Sequence, residues 1–340
     1  MTVTMNDVAR QAGVSTATVS KVINNKGKIS DKTKKKVNQV VKNLSYQPNL
    51  VASALKGKGT FTIALLIPHM DNPIYAQYLK HIEERGQELG FSIVMCSTDN
   101  DPDKEAKHVA VLKKKKVDGF IIASKFNNKT VLNQLVNENI PVALVAHERP
   151  ELLIDSITVD DYLGGYQVTE HLLSLGHRKI GVIGEEAISC TERIRGYQQA
   201  LEDKGIEFDE SLVLMCDGTG TFQGAEVQAG KLLDRKQRPT AIFGCNDVLA
   251  VGAMQAAKAR GLILPDELSV IGFDNTLICE IVNPQLSSIA MPIKEMGRRV
   301  IDLLIAEIEH DHRVKQRVLL SPKLIIRSST MSPKGKGKVS

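Results

Sequence analysis

Residues 3–24 read VTMNDVARQAGVSTATVSKVIN, and this stretch decides what the N-terminal part of the chain is. Thr4 with Asp7 three residues later is a helix start signal, and it predicts a short helix over 6–12 with Val8, Ala9 and Ala12 on one face. Gly13 breaks that helix. Ser15 then caps a second one over 16–24, with Val19, Val22 and Ile23 turned inward and Thr16, Ala17, Ser20 and Lys21 turned out. Two helices joined by a tight turn containing glycine form a helix-turn-helix, whose second helix enters the DNA major groove. A third helix over 30–44, with Val37, Val40, Val41 and Leu44 at helical spacing, closes a small head before Tyr46, Gln47 and Pro48 interrupt it.

Charge points the same way. Residues 1–58 carry eleven Lys and Arg against Asp7 and Asp31, a balance of +9. Three more lysines lie in the tail beyond Met331, so the formal total of +5 leaves about −7 for residues 59–330. A basic head on an acidic body neutralises phosphates with one part and keeps the other off the polyanion. At 340 residues the chain predicts two or three domains. No apolar run is long enough to span a bilayer and no secretory segment opens the chain, so a cytoplasmic protein with no membrane partner is expected. The five cysteines are scattered without paired spacing and read as reduced, buried, small hydrophobes.

The wording DVAxxAGVSxxTVSxVIN, carried here from Asp7 to Asn24, closely resembles the LacI (lactose-repressor) family of bacterial transcription regulators, and the likeness extends over about residues 3–330. The resemblance implies DNA contacts from Thr4, Ser15, Thr16, Ala17, Thr18, Ser20, Lys21 and Asn24, with Thr16 and Ala17 at the two base-reading positions. Their short side chains offer little hydrogen-bond discrimination, although both can touch thymine methyl groups, and Lys21 stands where Arg is commoner. Residues 49–56, NLVASALK, permit a helix of only two turns, which is marginal in isolation. By resemblance this is a hinge helix, with Asn49 and Ala52 on DNA and Leu55 as an apolar wedge in the minor groove. A plain linker with Leu55 tucked onto the body fits the same residues.

From Phe61 onward, apolar runs at 63–67, 92–96, 119–123 and 142–145, and again at 180–183, 213–216, 241–244 and 269–273, alternate with helix-length mixed segments. This predicts two doubly wound parallel-sheet lobes facing a cleft, the periplasmic-binding-protein-like body of the same family, with ligands at the carboxyl ends of strands. The chain is expected to return to the first lobe near 287–291, where a helix over 292–309 and a strand near 324–326 complete it. The domains are thus a helix-turn-helix head over 1–47, a hinge over 48–59, a two-lobed effector-binding and dimerisation body over 60–330 and a basic tail over 331–340.

Arg193 in RIRGY, Asn246 in CNDVLAVGAM and Asp274 in IGFDN match family positions for effector contact, and Asn72 and Tyr75 complete the first-lobe wall by the same matching. Read without the resemblance, Asp247 is a helix cap and Arg193 a solvated first-turn residue. Some positions depart from the family pattern: Thr219 stands where a flat aromatic ring is common, Ala146 where some relatives have an acid, and Met291 where a Gln is often found. A sugar, a sugar acid or a phosphorylated sugar fits equally.

Enzymatic motifs fail. The GAEVQAGK run at 224–231 has the wrong spacing and Leu232 in place of Ser or Thr for a phosphate loop, no GxGxxG follows the first strand, and His310 and His312 do not share a helical face. His171 and His177 read as a helix-face residue and a residue at the start of a strand. No cofactor or metal is expected. The resemblance implies a pseudo-palindromic double-stranded operator and a small-molecule effector as partners; tetrameric relatives append an apolar heptad helix after the body, which the tail MSPKGKGKVS lacks, so a homodimer is expected. A ligand-dependent activator or a corepressor-type regulator fits the same residues; a sugar-binding protein without a DNA role is disfavoured by the +9 head.

Overall fold

A computed structural model of the protein describes residues 3–23, 29–44, 46, 59–123, 125–216, 221–310 and 313–333. The chain forms two compact units, Met1–Thr60 and Phe61–Ser340.

In the first unit, α1 (Met5–Ala12) starts with a full capping box: Thr4 N and Oγ1 both donate to Asp7 Oδ2, at 2.9 and 2.6 Å. It stops at Gly13, whose φ of 62° is the left-handed region that glycine enters without penalty. The next helix, α2 (Thr16–Ile23), is capped by Ser15, whose Oγ accepts from Thr18 N at 3.1 Å. Then α3 (Asp31–Asn43) begins at a Ser30 cap. Val8, Ala9, Ala12, Val19, Val22, Val37 and Val40 are buried together, as the spacing predicts, while Ile23, Val41 and Leu44 are only half-buried. Tyr46, read from sequence as a helix breaker, is itself buried and adds the one aromatic ring to this small core.

The second unit holds two six-stranded sheets. The first contains β1 (Thr62–Ile67), β2 (Ser92–Ser97), β3 (Gly119–Ile122), β4 (Val142–Val145), β5 (Asp155–Val159) and, from much later in the chain, β11 (Arg317–Leu320). Its order is β11-β5-β4-β3-β1-β2 and every pairing is parallel. The second contains β6 (Ile180–Gly184), β7 (Val213–Met215), β8 (Ala241–Gly244), β9 (Ser269–Asp274), β10 (Ser287–Ala290) and β12 (Lys323–Ile325), in the order β12-β10-β9-β8-β6-β7. Only β12 is antiparallel. Both sheets are therefore doubly wound, and the eight apolar runs match their strands to within a residue. Strands β1, β3, β4, β8 and β9 are buried on both faces because helices cover both sides.

One expectation is corrected. The segment 287–291 does not lead back as a first-lobe strand: β10 extends the second sheet, and β12 pairs antiparallel with it, Ile289 opposite Leu324. The first lobe is completed by β11 instead. Two short strands, β5 and β11, went unread because they mix polar and apolar residues. The long helix expected over 292–309 is present as Ile293–Glu309 and packs Met296, Val300, Ile301 and Leu304 into the first lobe. The chain thus crosses between lobes three times, after β5, after β10 and between β11 and β12. No helix among the described residues is long and apolar enough to cross a membrane.

Candidate functional site

On the head, Ser15, Thr16, Ala17 and Lys21 are exposed, clustered on the first half of α2 and its cap. Thr18 is half-buried and its hydroxyl lies 2.9 Å from Ser15 Oγ, so it helps cap the helix. Thr4 is exposed but tied to Asp7, and Ser20 is half-buried. Of the second helix's residues singled out in the sequence, Thr16, Ala17 and Lys21 are the exposed ones. Asn24, Asn49, Ala52 and Leu55 lie outside the described residues, as does Thr219.

In the body, both sheets have the strand order that reverses beside their first strand. Loops after β1 and β3 on one side, and after β6 and β8 on the other, diverge there and leave a crevice beyond the strand ends. The two crevices face each other and merge into one cleft. Asn72, Tyr75, Arg193, Asn246 and Asp274, five residues spread over two hundred positions, all line it.

Helix N-termini position most of them. Asn72 caps the helix Pro73–Glu88, its Oδ1 accepting from Ile74 N at 3.1 Å, which leaves Tyr75 in the first turn. Asn246 caps the helix Asp247–Ala259 through Leu249 N at 2.8 Å and donates from Nδ2 to Glu185 Oε1 at 3.0 Å, so most of its amide is already engaged. The cap is Asn246 rather than Asp247. Asp247 is buried behind the cleft, where it accepts from Thr276 N, Thr276 Oγ1 and Ser288 Oγ and ties the loops of the second lobe together.

Arg193 is not a solvated residue. Its Nε donates to Asp161 Oδ1 at 2.8 Å, Nη1 donates to the Cys245 carbonyl and lies 3.7 Å from Asp274 Oδ1, and the guanidinium stacks 3.5 Å from the Phe273 ring centre. Burial works against its charge, yet Asp161 and Asp274 hold it above its ordinary range. Burial in turn pushes the carboxyls of Asp161, Glu185 and Asp274 upward, with Arg193 opposing in each case. The Tyr75 phenol is raised by burial as well. Asp274 closes β9 with φ 106°, a backbone strain carried by a residue that faces the cleft.

Two glycines set the position of Arg193. The helices Asp161–Ser174 and Ile188–Glu202 cross so closely that a Cβ on Gly165 would lie 2.0 Å from the Arg193 carbonyl oxygen. A Cβ on Gly196 would lie 2.0 Å from that of Tyr162. These positions demand the absence of a side chain, and this brings the fork of Arg193 over Asp161.

Sequence reading missed Asp161, Glu185, His147, Lys125, His69 and Asn100, which also line the cleft. Glu185 directly follows β6 and His69 lies two residues beyond β1, so the strand-end rule extended to every strand would have found them. Asp161 was lost with β5, and His147 depends on a turn at Ala146, φ 65°, that carries no sequence signal. Lys125 reaches across the cleft to Glu186 at 3.3 Å. All five cysteines are free; Cys96 is only half-buried, the others fully buried. His177, beyond its place at the start of β6, is buried and bonds Thr240, Ser269 and the Met331 carbonyl. No group of three His, Cys, Asp or Glu among the described residues is placed to hold a metal ion.

Comparison with known proteins agrees with both units. Residues 4–49 match the model for bacterial regulatory proteins of the lacI family, and residues 169–330 match a periplasmic binding protein-like domain. The chain is 46% identical to the HTH-type transcriptional regulator DegA of Bacillus subtilis (strain 168), over 97% of this chain and 98% of DegA. Among solved structures, the lac repressor dimer bound to operator and the anti-inducer ONPF superposes with a TM-score of 0.84 at 28% identity, covering 97% of this chain and 100% of that one. The transcriptional regulator CelR in complex with cellobiose gives 0.74 at 28%, covering 96% and 99%. Head, lobes and full-length likeness together make this chain a member of the LacI family of DNA-binding bacterial transcriptional regulators, and not an enzyme.

Proposed function

We propose that the protein is a homodimeric repressor whose grip on a pseudo-palindromic operator is set by a sugar or sugar derivative in the interlobe cleft. The observation that carries this reading is that Asn72, Tyr75, Arg193, Asn246 and Asp274, contributed by both lobes, converge on one cleft at the two topological switch points. A ligand touching both walls binds one lobe angle better than another, and any ligand with such a preference shifts the population toward that angle. The similar proteins support the class: one is bound to an operator and an anti-inducer, another to cellobiose.

In this reading, the head over 1–47 reads bases with Thr16 and Ala17 and places Thr4, Ser15, Thr18, Ser20, Lys21 and Asn24 on or near the backbone. Residues 48–59 form the hinge, with Asn49, Ala52 and Leu55 at the minor groove. The body over 60–330 senses the ligand and pairs the subunits, and residues 331–340 add a basic tail. The protein works in the cytoplasm, beside the DNA. The test is to select the preferred operator from random DNA and titrate it by fluorescence anisotropy with and without cleft ligands. A change in operator affinity on ligand binding is the expected outcome; ligand occupancy with unchanged affinity refutes effector control. Leu55→Ala should weaken the selected operator at least tenfold while leaving random DNA nearly unaffected, and equal affinity for the operator would refute the wedge.

A further inference from the structure

Residues 113–116 read KKKK, four cations in a row on a body that is acidic as a whole. They close the helix Pro102–Lys114, where lysines in the last turn also serve the negative end of the helix dipole. The run goes further than that role requires. Lys115 is the C-cap, and Lys116 follows it with φ 57°, the left-handed conformation that Gly13 takes at the end of α1. A lysine in that position carries a backbone strain that glycine would not. The neighbouring cations at this end of the first lobe are committed to carboxylates: Lys113 to Glu138, Arg85 to Glu88 and Asp302, Arg313 to Asp155, and Lys315 to Glu307. Lys114, Lys115 and Lys116 are all exposed, and the first two form no ion pair among the described residues.

The place of the run in the fold gives it a partner. Asp118, two residues on, accepts from Thr62 N at 3.0 Å and donates its own N–H to the Thr62 carbonyl at 2.8 Å. Thr62 opens β1 and is the second residue of the second unit, so the lysines stand beside the point where the chain arrives from the head. β1 and β3 run parallel and both begin at this end of the sheet, whereas the effector cleft opens beyond their carboxyl ends. The lysines therefore do not serve the cleft. In the hinge reading above, Leu55 enters the minor groove, and the six residues from there to Phe61 span at most about 20 Å. Chain length alone then holds this corner close to the operator, a polyanion with one negative charge per about 1.7 Å of its axis.

We propose that Lys114, Lys115 and Lys116 form a DNA-binding surface on the body, which grips backbone phosphates of the operator that the head reads. This rests on the operator and hinge reading above and extends it. A lysine is a point charge without base specificity, so the surface adds affinity and salt dependence and leaves sequence preference to the head.

The experiment uses the full-length protein and its selected operator. Lys114→Gln, Lys115→Gln and Lys116→Gln are combined in one variant, and affinity is titrated over a range of salt concentrations. Each phosphate contact contributes about 0.9 to the slope of log affinity against log salt, so the triple variant should be shallower by about 2 or more and weaker at low salt by about tenfold or more, with the preferred sequence unchanged. A slope within about 0.5 of wild type overturns the inference. The control removes the same charge from the same lobe, away from this corner, through Lys104→Gln, Lys107→Gln and Lys129→Gln. It should keep the wild-type slope; an equal loss would show that net charge acts rather than contact, and overturns the inference too. A second arm does not depend on the triple variant folding. Lys115→Cys carrying an iron chelate should cut the operator backbone when peroxide and ascorbate are added, above the background of wild type treated with the same reagent, and absence of cutting overturns the contact. Failure to select any operator with the wild-type protein refutes the regulator reading itself, whereas tight operator binding with an unchanged slope refutes only the body surface.

Discussion

Arg193 sits in a nearly closed set of partners, and removing it leaves Asp161 and Asp274 buried without a counter-charge. Arg193→Ala should destabilise the body by about 3–5 kcal/mol in urea unfolding, in addition to abolishing any effector response. A variant as stable as wild type would show that the two carboxyls simply take up protons. His147 gives a pH signature. Its folded value of about 4 lies below the ordinary 6.5, so on acidification the unfolded chain takes up the proton first. Stability is complete above pH 6.5 and falls as pH drops through the window to about 4, by roughly 3 kcal/mol from this ring alone. His171 and His177 are lowered by burial too and act in the same direction. His147→Asn should flatten part of that fall, and an unchanged pH profile would refute the buried neutral ring. At this scale the sequence names the residues that follow strongly apolar strands, such as Asp274 and Asn246. It cannot show that Asn246 spends its amide on a cap and on Glu185, because those partners come together only through the fold.

At the scale of elements, the crossing of the helices Asp161–Ser174 and Ile188–Glu202 is set by Gly165 and Gly196. Gly165→Ala puts a methyl into the Arg193 carbonyl and must push the second helix outward, at a cost of about 1–3 kcal/mol or more. Because Arg193 rides on that helix, the variant should bind operator and lose effector response; a normal response would show that the helices slide without moving the fork. On the head, Ser15→Ala removes the cap of α2 and should lower head stability by about 1 kcal/mol, measured by the thermal melting of the head signal. Elements were legible where periodicity was strong. Val8, Ala9 and Ala12, or the runs TIALLI and SVIGFD, state their burial outright. The strands DSITV and RVLL do not, since one begins with a buried Asp155 and the other is an edge strand with exposed Arg317 and Leu319. Nor can KLI announce which lobe it joins, because antiparallel pairing with β10 is settled by three-dimensional proximity.

Across the whole molecule, the separation of charge makes the head the electrostatic partner of DNA. Neutralising both Lys34 and Lys35 should at most lower affinity for all sequences and flatten the dependence on salt, without altering the preferred operator, whereas Thr16→Ala should change that preference. A sequence selection returning the same consensus for Thr16→Ala would count against its base-reading role. The arrangement of β11 and β12 has a different kind of consequence. They are the last two strands among the described residues, yet they belong to different sheets, and His177 is further pinned by Met331. A growing polypeptide therefore closes the core of its first unit with Tyr46 but carries two unfinished sheets until β11 and β12 have been made. Premature termination before β11 would leave the core of the first unit complete and each sheet of the second without an edge strand.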